Sequence, residues 1–335
     1  MILKIVRIIL ILAALMLLLF ASWFSFHFYH PNTGTGEEII FEVKKGDTAS
    51  RIALNLKEKG VIQQKAIFIL GYKLFFSPQS LKAGEYAIHF PQSTKEILGL
   101  ITEGHAVLHP ITIPEGLTRQ EIALHLQTTS PISYEDFLNA SSEADLISDM
   151  DPKASDLEGY LFPETYHFTK NFGAADIVSA MISQFRAVFG KQWQDRANEL
   201  GMTVREIVIL ATLIEKETSR PEERAVVSSV FHNRLKNRMK LDCDPTIIYV
   251  LKQEGRFKDR LRTKDLRYDS SYNTYLYAGL PPGPIANPGK ESLQAALYPA
   301  HTDYFYFVSR NDGSHHFSKT FREHQNAVIK YQKRR

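Results

Sequence analysis

The sequence predicts an α+β protein carried on a single N-terminal transmembrane helix, and three observations make that case. Residues 8–26 are uncharged and almost wholly apolar, long enough to cross a bilayer as a helix. A segment that reads as strand, glycine turn and amphipathic helix occurs twice between residues 43 and 126. Beyond residue 170, stretches with helical periodicity are followed by a short β-rich pair.

The apolar run is preceded by Lys4 and Arg7, and the first acidic residues after it are Glu37 and Glu38. The positive-inside rule then keeps residues 1–7 in the cytoplasm and exports the rest. Trp23, Phe24 and Phe26 close the run and His27, Phe28 and Tyr29 follow it, too bulky for a signal-peptide cleavage site, so the span is expected to stay as an anchor. Trp23 and Tyr29 suit its outer interface. Residues 27–39, including the polar Asn32-Thr33-Gly34-Thr35-Gly36, read as a linker.

The chain has 335 residues, enough for about two domains beyond the anchor. Its 44% hydrophobic and 23% charged content fits a packed globular body. A net charge of +3 and the lack of a basic stripe interleaved with aromatics argue against nucleic acid. The single cysteine, Cys243, permits no intramolecular disulfide. Flanked by acids that would raise its pKa, it reads as a packing residue rather than a nucleophile.

In the repeat, residues 43–56 align without gaps on 113–126. Gly46 matches Gly116, Thr48 matches Thr118, and Ile-Ala-Leu-x-Leu recurs. Each copy predicts a strand, a turn needing glycine, a Thr-capped start and a helix. Between them, 86–90 suggest a strand and 94–101 a helix. Helices are expected over 174–189, 204–218, 222–237 and 321–331. Tyr304 to Val308 read as a buried strand that His316-Phe317 pairs with across 310–314.

Residues 207–214 contain Thr212 as their only polar side chain, and Thr203 with Glu206 forms a capping-box signal. Glu215 and Glu217 end this buried helix. An acid held against such a helix loses hydration and its pKa rises, as a general acid working near neutral pH requires. Two residues apart on a helix, the two lie about 200° apart around it, so one carries chemistry and the other is structural. Ile207, Leu210, Ile214 and Glu217 share a stripe. Ser219 with Glu222 is expected to cap the next helix, and Asp244 before Pro245 the one after. Arg224 and Arg234 are candidates to order Glu215 or Glu223.

The ordered set Glu-Lys-Glu-Thr (215–218), Val-Phe-His-Asn-Arg-Leu (230–235), Met-Lys-Leu (239–241), Asp-Pro-Thr (244–246), Tyr-Asn-Thr-Tyr (272–275) and Gly-Leu-Pro-Pro-Gly-Pro-Ile-Ala-Asn-Pro-Gly (279–289) resembles the membrane-anchored endolytic murein transglycosylases of the YceG/MltG type. The resemblance runs from the anchor to about Tyr331, and 157–166 resemble the entry to their catalytic domain. Asp242-Cys243 departs from the family's usual Gln and polar residue. The first repeat copy resembles a LysM module. The resemblance implies a LysM-like region at 40–150 and a catalytic domain at 151–335.

It also implies lytic cleavage of peptidoglycan glycan strands at the cytoplasmic membrane's outer face, with peptidoglycan synthases as candidate partners. The family's catalytic Glu matches Glu217. Glu215, Asp244, Tyr272, Asn273, Tyr275, Pro282 and Asn287 are the substrate-side candidates. Aromatic faces, amide hydrogen bonds and a rigid backbone suit sugars, while a proline-rich loop also reads as simple stiffening. No cofactor or metal is expected: His315, His316 and His324 lack zinc-site spacing with a partner Glu. A non-catalytic glycan-binding scaffold and a hydrolase pairing Glu217 with Asp244 remain the rivals.

Overall fold

A computed structural model describes residues 2–33, 38–170 and 172–333. Residues 34–37 of the expected linker and the final Arg334-Arg335 lie outside these. The chain forms two compact units, Met1–Pro110 with His167–Phe172, and Ile111–Tyr166 with Gly173–Arg335. The first repeat copy belongs to one unit and the second to the other.

Unit one begins with α1 (Ile2–Tyr29), which contains the expected span and, because Phe28 packs in the core, runs on through residues 27–29 of the expected linker. Then come β1 (Pro31–Asn32), β2 (Ile39–Val43), α2 (Ala49–Glu58), α3 (Lys65–Gly71), a π-helical turn (Tyr72–Phe76), β3 (Gly84–Ile88), β4 (Gln92–Ser93) and α4 (Thr94–Glu103). β2 pairs antiparallel with β3, setting Phe41 opposite Tyr86. Period-two alternation turns Phe41, Val43, Tyr86 and Ile88 inward, onto Ile52 and Leu56 of α2 and Ile97 of α4. The repeat's local chemistry forms as expected. Gly46 takes φ +88°, and the Thr48 hydroxyl caps α2 by accepting from the Arg51 N–H.

The chain leaves unit one through β5 (His109–Thr112) and returns through β6 (Thr165–Phe168). Unit two contains α5 (Arg119–Thr129), α6 (Tyr134–Ala140), α7 (Ala174–Val188), α8 (Lys191–Glu199), α9 (Val204–Glu217), α10 (Pro221–Lys236), α11 (Asp244–Gln253), α12 (Lys290–Leu297), β7 (Tyr306–Ser309), β8 (His315–Ser318) and α13 (Phe321–Val328). In the second copy Gly116 has φ +75°, and Thr118 with Glu121 closes a capping box on α5.

α9 is the central post. Every residue from Ile207 to Ile214 is buried, and α8, α10, α11 and α12 pack around it. The Thr203–Glu206 capping box starts it as predicted. Thr212, the lone polar residue of the run, donates to Ile209 O at 2.7 Å and accepts from Ile285 N at 3.3 Å. Burial therefore leaves the Thr212 hydroxyl paired; unpaired, it would cost about 1–3 kcal/mol.

Two expected caps are corrected. Arg220, not Ser219, occupies the N-cap of α10, and Pro221 supplies the first-turn φ instead of a side-chain cap. Cys243 is the N-cap residue of α11, and Asp244 lies inside the first turn. The 304–308 stretch is shorter and less buried as a strand than expected: β7 starts at Tyr306, and Val308 is its only buried residue. It pairs antiparallel with β8, Val308 opposite His316. After Val328 the closing helix widens into a π-helical turn over Ile329–Lys333.

Candidate active site

The C-terminal end of α9 projects Glu217 into a cleft of about 420 Å³ in unit two. The cleft's other walls come from Arg234 of α10, Asp242 and Asp244 around the start of α11, Tyr275, and the β7–β8 pair with α13. Three of the residues singled out from sequence, Glu217, Asp244 and Tyr275, therefore meet in one place although they are far apart in the chain.

Glu217 is half-buried, and its Oε1 accepts from the Cys243 thiol at 3.0 Å. Burial pushes its carboxyl up from 4.5 to about 7. The thiol's hydrogen bond opposes that rise, the negative Asp244 adds to it, and the Arg234 charge opposes it. A carboxyl with that pKa has an appreciable protonated fraction at neutral pH and an accessible anion, which is what an acid that later acts as a base requires. The Cys243 thiol is itself driven far up, first by burial and then by Glu217. It is a donor here, not a nucleophile.

The Tyr-Asn-Thr-Tyr segment works as a unit. Asn273 is fully buried. Its Nδ2 donates to the carbonyls of Leu266 and Tyr268, and its Oδ1 accepts from Tyr275 N. The Thr274 Oγ1 accepts from Cys243 N at 3.0 Å and so clamps the start of α11. Tyr275 then donates its hydroxyl to Asp244 Oδ1 at 2.5 Å. The capping role expected of Asp244 is thus corrected: its carboxylate faces the cleft and accepts from Tyr275. Arg234 braces the wall by donating to the carbonyls of Phe305, Lys240 and Leu241 and to Asp242 Oδ2.

Glu215 points elsewhere, as the 200° separation requires. Its side chain is 8% exposed and lies 3.7 Å from Arg224, which also holds Glu115 and Glu291. Its Oε2 accepts from Gly289 N at 3.0 Å, so it ties the 279–289 loop to the back of α9. Of the two arginines considered, Arg224 orders Glu215, whereas Arg234 contacts neither Glu215 nor Glu223 and pairs with Asp242.

Besides Glu215 and Asn273, three more substrate-side candidates stand apart from the cleft. Asn287 is completely buried. Its Oδ1 accepts from Gly159 N and Leu161 N, and its Nδ2 donates to Leu117 O and Glu158 Oε1. It is a structural knot joining three segments, with no group left to meet a sugar. Tyr272 packs against Tyr249 at 5.4 Å and lines a small hollow beside Gly283. Pro282 edges a larger hollow of about 890 Å³, where its carbonyl accepts from Arg205. That larger hollow contains Asp151 and Glu206, but Asp151 is ion-paired with Arg205 and Glu206 caps α9.

Sequence reasoning missed the aromatic wall. Tyr306, Phe307, His315, Phe321 and His324 all line the cleft. His315 is held by Glu223, with Nδ1 2.7 Å from Oε2 and its backbone N–H donating to Oε1 at 2.9 Å. The spacing of the histidines speaks only to metal binding. Their interleaving with aromatics at 304–324 was the available signal.

Residues 41–330 match the YceG-like family. The chain belongs to the YceG-like family. This YceG-like chain is 33% identical over 309 residues to the endolytic murein transglycosylase of Bacillus subtilis, covering 88% of the chain and 84% of that protein. It is 26% identical to the protein of the same name from Streptococcus pneumoniae strain D39, over 86% of the chain but 57% of that longer relative. A crystal structure of a YceG-like protein from Listeria monocytogenes shares 34% identity and a TM-score of 0.59, over 87% of this chain and 98% of that one.

Proposed function

We propose that this protein is an endolytic lytic transglycosylase that cuts the MurNAc–GlcNAc bond of nascent peptidoglycan strands, with Glu217 as the only acid/base. The observation that carries the reading is Glu217 itself, a half-buried carboxyl raised to about 7 in a cleft walled by aromatics. Its family membership and its relatives' names support the same chemistry.

Protonated Glu217 delivers its proton to the glycosidic oxygen, and the GlcNAc side leaves with a free 4-hydroxyl. The resulting carboxylate takes the proton from the muramoyl 6-hydroxyl as that oxygen closes on C1. The product is a 1,6-anhydromuramoyl end, formed without water, and Glu217 returns protonated. The cut ends elongation of the strand.

The LysM-like part of unit one adds a weaker contact to glycan. α1 is long and apolar enough to cross a membrane. With Lys4 and Arg7 in the cytoplasm, the body lies on the outer face of the cytoplasmic membrane, near the synthases that supply the strands.

Asp244 favours one second reading. Its carboxylate shares the cleft with Glu217, so a two-carboxylate hydrolase has both groups it needs. Digestion in ¹⁸O-labelled water decides between them. Transglycosylation gives unlabelled ends one water lighter than hydrolysed ends. Labelled reducing ends would reject the single-acid reading.

A further inference from the structure

The last turns of α1 belong to the core of unit one. Phe28 is fully buried and Phe24 is 8% exposed. The Phe28 ring lies so close to Gly71 that a Cβ there would meet it at 2.2 Å. A helix rises 1.5 Å per residue, so a hydrocarbon layer of about 30 Å takes about 20 residues. Counting from Arg7, the last charge before the apolar run, the far boundary of that layer falls near His27. Phe24 therefore sits about one turn inside the layer and Phe28 at its edge. Whatever covers these two rings must itself lie at the depth of the membrane interface.

Part of that cover is the π-helical turn Tyr72–Phe76. The Phe75 ring stacks on Phe28 at 5.4 Å and on Phe24 at 6.4 Å. Phe76 packs on the core, but Phe75 and Leu74 are 53% and 60% exposed. On the same last turns of α1 Trp23, Phe26 and Tyr29 are also exposed, so large apolar and aromatic side chains gather at one level, at the end of the span. Single exposed apolar residues are ordinary, whereas several large ones gathered at one level mark an interaction surface. Two cations complete it: Lys73 is exposed on the same turn, and the Lys95 ammonium lies 5.2 Å over the Tyr29 ring. Aromatic rings at the headgroup level with cations beside them are the chemistry of a phospholipid interface.

We infer that the turn Tyr72–Phe76 is a second membrane contact: Leu74 and Phe75 enter the acyl–headgroup boundary beside α1, while Lys73 and Lys95 meet lipid phosphates. This rests on the reading of α1 as a membrane span. Unit one is then seated on the bilayer and joined to its anchor through a packed core rather than hung from a tether.

The test uses the full chain in phosphatidylcholine nanodiscs, with brominated acyl chains as quencher and unbrominated lipid as reference. Single-tryptophan variants report depth. Trp193→Phe keeps native Trp23, while Trp23→Phe/Trp193→Phe combined with Phe75→Trp or with Leu74→Trp reports on the turn. Emission from positions 74 and 75 should be quenched to within about twofold of that from Trp23. Quenching of Trp23 with neither turn position quenched would overturn the contact and leave the anchor standing. Lack of quenching at Trp23 would overturn the anchor and the contact with it.

Discussion

The Cys243 thiol donates to Glu217 Oε1 at 3.0 Å, so the chain's single cysteine is hydrogen-bonded to the proposed acid. The bond favours the carboxylate, opposing the larger effect of burial. A hydroxyl is a stronger donor than a thiol and a methyl is none. Cys243→Ser should therefore move the alkaline limb of the activity profile to lower pH, and Cys243→Ala to higher pH. Identical profiles in both variants would remove Cys243 from any influence on Glu217. Because the reaction begins with a protonated acid, wild-type activity should fall as pH rises through about 7.

Glu217→Gln keeps the side chain's shape and an oxygen for the thiol but holds no transferable proton. Turnover should drop by the roughly 10²–10⁴-fold typical of general acid–base catalysis, while the melting temperature holds or rises. Strand cleavage at near wild-type rate by the folded variant would refute the assignment.

Glu215→Gln tests the opposite face of α9. Its carboxylate pairs with Arg224 and accepts from Gly289 N, so loss of the charge should lower stability by about 1–3 kcal/mol. The folded fraction should keep activity within severalfold of wild type. A catalytic loss as large as that of Glu217→Gln, in a fully folded protein, would contradict this division of labour.

Asn287→Ala should act on stability and not on glycan affinity. It leaves the buried Gly159 and Leu161 N–H groups without their acceptor, at about 1–3 kcal/mol for each unsatisfied group. Denaturant unfolding measures the loss. Unchanged stability with weakened glycan binding would restore the sugar-contact role.

Glu158 gives stability a pH dependence. Burial raises its carboxyl from 4.5 to about 8. Between those values the folded state holds a proton that the unfolded state has released, so this contribution is full below about pH 4.5 and lost as pH rises through about 8. Glu217, raised to about 7, acts in the same direction. Thermal melts should therefore fall from pH 5 to pH 8.5, and Glu158→Gln should flatten the decline. An equally steep decline in the variant would mean that Glu158 contributes none of it.

Local signals were legible where chemistry acts within a few residues. The Thr203–Glu206 capping box, the Gly46 and Gly116 turns, the apolar run from Ile207 to Ile214 and the opposed directions of Glu215 and Glu217 all follow from helix period and backbone sterics. An apolar stripe ending in an acid carries its meaning in one dimension. The sequence alone therefore pointed to the anchor helix, the α+β class and the acid worth testing. Tertiary structure decided what surrounds that acid. The same Tyr-Asn-Thr-Tyr segment sends Tyr275 into the cleft and packs Tyr272 against Tyr249, partners distant in the chain, while Asn273 between them is buried by bonds within its own turn. Asp244 reads as a cap when only Pro245 is in view and becomes a cleft carboxylate once Tyr275 reaches it. The aromatic wall is local in its pairing, β7 with β8, but it faces Glu217 only through long-range contacts such as Glu223 holding His315, which leave no periodic trace in either segment.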